Sequence, residues 1–254
     1  MKHRIKDMLT DIESRYKIKI LYACETGSRA WGFPSPDSDY DVRFLYMHKR
    51  DWYLSLGHHK DSIEHMDGDF DVTGWDLRKS LLLLKKSNTP LIERFQSPIV
   101  YFDEAGFSQA FKTLIEAHYS PTAVFFHHYS LAGKFWDDLK DKNEIKLKSF
   151  FYLVRSLLSC NWIIQNSSVL PMNIFGLMDT IDDAARSKLE ELIKLKAGVN
   201  EKYLHPKSLW MHNWVESMWF KLKSSGKKIG VSKTSFADLD AFFLKMINGN
   251  VNDR

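Results

Sequence analysis

The chain has 254 residues, 44% of them apolar, two cysteines and a formal net charge of +4, enough length and apolar content for two modest domains with packed cores. No apolar run approaches the roughly 18 residues of a membrane span, and the charged start "MKHRIKDMLTDIESRYK" lacks the apolar stretch of a secretory signal. Cys24 and Cys160 lie too far apart in sequence for a metal knuckle or disulfide framework, so a cytoplasmic protein with reduced thiols is expected.

Residues 1–17 place Ile5, Met8, Leu9 and Ile12 at helical spacing. The β-rich run "IKILYAC" (18–24), then "YDVRFLYM" (40–47) and "DFDVTG" (69–74), read as three strands. "LRKSLLLLKKSN" (77–88) reads as a helix with Asp76 as its N-cap, and Thr89-Pro90 has cap-plus-N1 chemistry for a short helix through Phe95. "PIVYF" (98–102) is a last short strand. Beyond about residue 105 the character becomes helical. Ser120-Pro121 opens a helix through Leu139, and residues 145–165, 180–196, 208–223 and 235–247 continue the pattern between the turn signals "NSSVLP", "AGVN" and "SSGKK". The expectation is an α+β protein: a mixed-sheet domain over residues 1–104, then a mostly helical domain over 105–254 that binds substrate or acceptor. Residues 1–104 carry 16 Lys and Arg against 17 Asp and Glu, whereas 105–254 carry 20 against 15. That split suits a metal site facing a phosphate-bearing partner, and equally an ordinary solvated surface.

The second strand carries the most informative alternation. Asp39, Asp41, Arg43 and Leu45 share one face; the apolar set Tyr40, Val42, Phe44 and Tyr46 shares the other and should face the core. The two aspartates then sit about 7 Å apart at their Cα atoms. Unpaired carboxylates that close to a core cost free energy unless a cation takes up their charge. Arg43 offsets one, and a divalent metal would offset both. The third strand repeats the pattern, with Asp69, Asp71 and Thr73 on one face and Phe70 and Val72 on the other. If it pairs beside the second, the converging carboxylates make the oxygen-rich shell Mg²⁺ prefers. The loop after the first strand adds phosphate chemistry. Gly27 lets backbone approach a ligand closely, Ser28 offers a hydroxyl at a helix start that favours anions, and Arg29 brings a guanidinium.

An apolar strand, Gly-Ser, a spacer, Asp-x-Asp and a later carboxylate resemble the nucleotidyltransferase superfamily typified by DNA polymerase β. Here the pattern stands as Gly27-Ser28, Asp39-Tyr40-Asp41 and a third carboxylate assigned to Asp71. Within that superfamily, "ETGSRAWGFPSPDSDYDVRFLY", "YLSL", "DVTGWDLRKSLLLLKKSNTPLIERFQSPIVY" and "HHYSLAGK" look like the family of bacterial and phage nucleotidyltransferases named for association with RNA repair operons. The resemblance implies a polymerase-β-like sheet with flanking helices and Mg²⁺- or Mn²⁺-dependent transfer of a nucleoside monophosphate from an NTP, ATP first among them, to a hydroxyl acceptor such as an RNA end. It implies that Asp39 and Asp41 hold the metals. Asp71 binds the catalytic metal and helps activate the acceptor, and Gly27 and Ser28 hold the triphosphate. Asp69 and Asp76 are the alternatives for the third carboxylate; Asp76 suits an N-cap better. The family pattern also matches His128, Tyr129 and Lys134, which would line a cleft from the helical domain.

Other residues carry two readings each. Glu25 and Arg29 flank Gly-Ser and pair across the loop, or Arg29 meets phosphate. Arg43 meets phosphate or neutralises Asp41. Glu93 buttresses the site or is a solvated helix residue, the default for its type. On an apolar helix one of His127 and His128 must face inward. Lys148, Tyr152 and Arg155 fall on one helix face, a surface stripe or a contact to triphosphate or nucleic-acid backbone. The basic run 221–233 is a solvated loop or a contact to RNA phosphates. Trp210 and Trp214 share a face that reads as core or interface; Trp219 falls off it. Against the transferase stand a catalytically silent nucleotide- or RNA-binding module and a nucleotidylating regulator of a partner protein. No P-loop, kinase signature or zincin motif is present.

Overall fold

The first helix and strand of the computed structural model, which describes residues 1–166, 168–225 and 235–249, show how the core is assembled. Helix α1 (Lys2–Tyr16) buries Ile5, Leu9 and Ile12, spaced four and three residues apart on one face. It ends at Lys17, whose left-handed backbone (φ 52°) returns its N–H to the Glu13 carbonyl. The Glu13 carboxylate accepts from the N–H of Ile20 at 2.6 Å, joining the helix end to strand β1 (Lys19–Glu25). After α2 (Gly27–Trp31) come β2 (Tyr40–Met47), α3 (Arg50–Leu54), β3 (Ser62–Asp67), β4 (Phe70–Asp76), α4 (Leu77–Lys85), α5 (Thr89–Arg94), β5 (Val100–Asp103) and α6 (Phe107–His118). Five strands form a mixed sheet in the order β3-β4-β2-β1-β5, with β2 and β4 parallel and the other pairs antiparallel.

One face of the sheet packs Ile20, Ala23, Val42, Phe44, Tyr46, Phe70 and Val72 against the α1 stripe. The apolar half of the β2 alternation thus faces the core, as its pattern requires. Opposite Phe44 in register stands Gly74, and a Cβ there would lie 2.2 Å from the Phe44 ring. Glycine at this strand position makes room for an aromatic ring rather than a turn. Further along the sheet, Tyr22 stacks on Phe95 (4.8 Å) and Phe95 on Phe111 (4.3 Å). Buried Arg94 lies 3.4 Å over the Trp75 ring, and burial lowers its pKa to about 9. Asp76 caps α4, its carboxylate accepting from the N–H of Arg78 at 2.8 Å, as expected. The cap of α5 is Asn88, which accepts from Leu91 N–H; Thr89 and Pro90 are already inside the helix. The Asn88 carbonyl-amide reaches that N–H where Thr89 does not, and this shifts the expected cap by one residue.

The remaining elements are mostly helical. They are α7 (Pro121–Leu139), β6 (Glu144–Lys146), α8 (Leu147–Asn166), α9 (Ile174–Leu177), a 3₁₀ turn (Met178–Thr180), α10 (Asp183–Ala197), β7 (Leu204–Pro206), α11 (Leu209–Ser225) and α12 (Ala237–Gly249). Strands β6 and β7 pair as a small antiparallel ribbon. This is the expected α+β architecture, a mixed sheet with flanking helices followed by a mostly helical region. The chain divides into two compact units. One contains residues 1–27, 39–119 and 235–249; the other contains 28–38, 120–166 and 168–225. Residues 226–233 of the basic run lie outside the described residues. Among the described residues no helix is long and apolar enough to cross a membrane.

In the second unit, the spacer after α2 is bound into the helices. Phe33 is fully buried and stacks on Phe151 (5.3 Å), and Trp31 meets Tyr152 edge-on (5.2 Å). Gly32 has φ 93°, and a Cβ there would press on Asn173 at 2.8 Å. Trp210 and Trp214 stack on each other at 6.0 Å, while Trp219 leaves their face to stack on Tyr129 at 4.5 Å.

Gly74→Ala should destabilise the protein by about 2–3 kcal/mol, since the methyl group must displace the Phe44 ring from a packed core. Urea denaturation of the two proteins measures it, and Gly74→Ala in a Phe44→Leu background should cost less than in the parent.

Candidate active site

Parallel pairing of β2 and β4 sets Asp41 directly opposite Asp71, Val42 opposite Val72 and Arg43 opposite Thr73. Because side chains alternate, burying Val42 and Val72 on the core face sends both aspartates to the other face together. The Arg43 guanidinium holds them. Its Nη2 donates to Asp41 Oδ1 at 2.9 Å and to Asp71 Oδ2 at 2.7 Å, and Nη1 donates to the Asp71 carbonyl at 2.7 Å. The arginine on the aspartate face therefore neutralises both carboxylates rather than Asp41 alone. Thr73 adds a hydroxyl to Asp71 Oδ1 at 3.3 Å.

Asp41 is fixed from the backbone side as well. Its N–H donates to the Glu25 carboxylate at 2.8 Å, and its carbonyl accepts from the Thr26 N–H at 2.8 Å. Glu25 is fully buried, and its other oxygen accepts a short bond from the Tyr101 hydroxyl. A hydrogen-bonded glutamate of this kind is tolerated in a core because its donors replace water. Gly27 follows at φ 61°, and a Cβ on it would lie 2.0 Å from Asp41 Oδ2. Glycine is required here twice over, for the left-handed backbone and for the carboxylate pressed against its Cα.

Asp39 is exposed and precedes β2; Asp69 is exposed, and its carbonyl accepts from Tyr40 N–H at 2.8 Å. Asp76 is buried. Its oxygens accept from Arg78 N–H and from the Tyr53 hydroxyl at 2.7 Å, so it serves the helix cap. Glu93 is buried, not a solvated helix residue, because α5 packs inward at that position.

A second group of the expected residues gathers in the unit containing residues 28–38. Ser28 is buried, and its hydroxyl donates to Ser38 Oγ at 3.1 Å. Arg29 donates from Nη2 to the Ser38 carbonyl at 2.6 Å. On α8, Lys148 donates to Glu201 at 2.6 Å. Tyr152 sits edge-on to Trp31, and buried Arg155 lies 4.5 Å over the Trp31 ring while bonding the Met172 carbonyl at 3.3 Å. The α8 stripe is therefore largely turned onto the spacer rather than into solvent. His128 is the inward-facing histidine of its pair, and burial together with the Arg155 charge holds its pKa well below the ordinary imidazole value. Lys134 is exposed on α7.

Residues that the sequence reading did not single out complete both groups: Thr26 and Tyr101 around Asp41, and Ser35, Ser38, Lys196 and Glu201 around Ser28. Their partners are up to 164 positions away in sequence, and no spacing rule reaches that far. Only the serines inside "FPSPDS" carried a local signal.

Asp41 and Asp71 fit a divalent cation by donor chemistry. They are hard carboxylate oxygens that already converge on a single cationic nitrogen, Arg43 Nη2. They are two ligands only; among the described residues no three His, Cys, Asp or Glu side chains form a metal-holding group.

A mixed sheet with Gly27-Ser28 opening α2 just after β1, and paired carboxylates on the parallel strands β2 and β4, has the architecture of a polymerase-β-like protein. The profile of the RNA repair pathway DNA polymerase beta family (RlaP) matches residues 1–245, and the chain belongs to that family. It is also similar to the uncharacterized protein YcgL of Bacillus subtilis (strain 168), 37% identical over 236 residues, which span 92% of this chain and 91% of that one.

Gly27→Ala should cost about 2–3 kcal/mol, from the left-handed backbone and from the displaced Asp41 carboxylate. Gly68→Ala has a similar φ of 57° with nothing within 4 Å of its Cβ, and should cost about 1 kcal/mol. Chemical denaturation of the pair separates backbone strain from collision.

Proposed function

We propose that the protein is a metal-dependent nucleotidyltransferase that moves a nucleoside monophosphate from an NTP, ATP first among them, to a hydroxyl acceptor, and that the acceptor is an RNA end. The observation that carries the reading is the Asp41–Asp71 pair. Two carboxylates are set level on adjacent strands, next to a glycine that leaves room for nothing but hydrogen, and the single guanidinium of Arg43 bonds both. Membership of a family whose description names an RNA repair pathway supports the choice of acceptor.

In this reading Asp41 and Asp71 would hold Mg²⁺ or Mn²⁺, with Asp39, exposed just before β2, as the third candidate. When bound, the ion neutralises phosphate charge and stabilises the charge that develops on the transferring group. The protein's own residues supply the rest. Glu25 and Thr26 clamp the Asp41 backbone from both sides, so its carboxylate keeps its aim. Arg43 holds the two carboxylates together before substrate arrives, and its guanidinium is suited to a phosphate oxygen. Asp71 is the group that can accept the proton of the acceptor hydroxyl, since it faces solvent more than Asp41 does (side-chain exposures 35% and 29%). Ser28 and Arg29 bind the leaving pyrophosphate through hydroxyl and guanidinium.

Asp41→Asn and Asp71→Asn should each lower transfer of label from an α-labelled NTP by at least about 100-fold, with little loss of thermal stability. Asp11→Asn, on an exposed pair with Arg15, should change neither. NTP binding without any pyrophosphate release, across a panel of RNA, small hydroxylated molecules and co-encoded proteins, would identify a silent binding module instead.

A further inference from the structure

Around Ser28, the hydrogen bonds run one way. Ser28 Oγ donates to Ser38 Oγ at 3.1 Å, and Ser38 Oγ also accepts from the Ser35 N–H at 2.9 Å. With both lone pairs taken, the single Ser38 proton goes to Glu201 Oε1 at 3.1 Å. The other carboxylate oxygen, Oε2, accepts from Lys148 Nζ at 2.6 Å. Two donors of different elements, the spacer and α8, thus converge on one anion, and that anion belongs to the protein. Lys196 stands behind them. It is 1% exposed and donates to Ser35 Oγ at 2.8 Å. Burial lowers its pKa, Lys148 lowers it further, and Glu201 and Asp37 act in the opposite direction, which places all four charges within one electrostatic neighbourhood.

A carboxylate and a phosphate oxygen are interchangeable to such donors. Both are anionic acceptors that take hydroxyl and ammonium protons at 2.5–3.0 Å or so. The Glu201 contact is also built to be given up. The Glu201 and Lys148 side chains keep 24% and 35% of their exposure, so the ion pair is worth little and its carboxylate has water to move into. The backbone is held independently, because the Glu201 N–H donates to the Asp37 carboxylate at 3.0 and 3.2 Å. The side chain can swing out without undoing the attachment.

We propose that Glu201 is an internal ligand of the phosphate-binding group. Its carboxylate occupies Ser38 and Lys148 when no substrate is bound, gives them up to a polyphosphate oxygen, and returns to displace pyrophosphate. This rests on the transferase reading above. Glu201 is a positioning residue that sets how tightly polyphosphate is held, not a catalytic one. Removing its charge therefore tightens polyphosphate binding, which is the opposite of what loss of a structural contact does.

The test uses the full chain, with inorganic pyrophosphate and ATP as probes in Mg²⁺, by titration calorimetry. Glu201→Gln should tighten pyrophosphate binding by about five-fold, the scale of one partly exposed ion pair. Lys148→Met should weaken it, and Glu201→Gln in the Lys148→Met background should tighten binding less than in the parent, because only the Ser38 contact is then released. Glu191→Gln removes an exposed acid of α10 and should leave binding unchanged, which excludes a general charge effect. Should Glu201→Gln fold poorly, Asp37→Ala provides a second variant. It loosens the Glu201 backbone, keeps the carboxylate, and should tighten binding to a smaller degree. Unchanged or weaker binding in Glu201→Gln, with ATP binding normally to the parent, overturns the role of Glu201 and leaves the transferase reading standing. Failure of both probes to bind parent and variants alike overturns both.

Discussion

Two carboxylates at paired positions of adjacent strands repel each other, and the sheet domain depends on that repulsion being held in check. At an effective dielectric of about 20, like charges 4 Å apart cost on the order of 4 kcal/mol, a large part of the stability of an ordinary domain. Arg43 offsets this from within the same strand, two residues along, with bonds to both aspartates. The offset works only in one register. A slip of one residue between β2 and β4 would turn a carboxylate into the core and Val42 or Val72 into solvent. Packing on the far face fixes that register: Phe44 lies over Gly74, and Val42 pairs with Val72. The hydrophobic face of the sheet is thus what aims its polar face.

Glu25 shows the same logic one strand over. A fully buried glutamate is costly unless its oxygens are satisfied, and here one takes the Asp41 N–H and the other the Tyr101 hydroxyl. The satisfied glutamate ties β1, β2 and β5 together at the point where the chain must turn into Gly27. Gly27 then presses against Asp41 because no Cβ intervenes. The chain leaves the sheet only after its position relative to the carboxylate has been set.

Much of this was legible in the sequence because it is local. The strand alternation around Asp41 and Asp71, the Gly-Ser turn and the Asp76 cap all follow from spacings under a dozen residues. What escaped was either weakly patterned or distant. Strand β3, in the polar stretch 62–67, buries only Ile63 among its residues, so it has no apolar alternation to detect; its backbone pairing with β4 creates it. Glu93 looked like any helix glutamate, and only tertiary packing buries it. The cap of α5 slipped by one because Asn and Thr are adjacent and both are competent caps. The spacer "RAWGFPSPDS" read as a connection, but Trp31 and Phe33 are aromatic anchors and Ser35 and Ser38 are hydrogen-bonded to Lys196 and Glu201. Proline and serine signal a loop, and they do not say what the loop is fastened to.

Charge counting then constrains what the carboxylate face can accept. Asp41 and Asp71 carry two negative charges at paired positions of adjacent strands, and Arg43 returns one. The remainder is negative, so a polyphosphate cannot approach it alone; each phosphate oxygen would add repulsion of the kind Arg43 already offsets. Under the transferase reading a cation would accompany it, and a divalent one would supply in a small volume what a second arginine would need a whole side chain to deliver. In the proposed reaction this makes the arrangement of Asp41 and Asp71 conditional: stable with Arg43 when empty, attractive to phosphate only when a metal arrives with it.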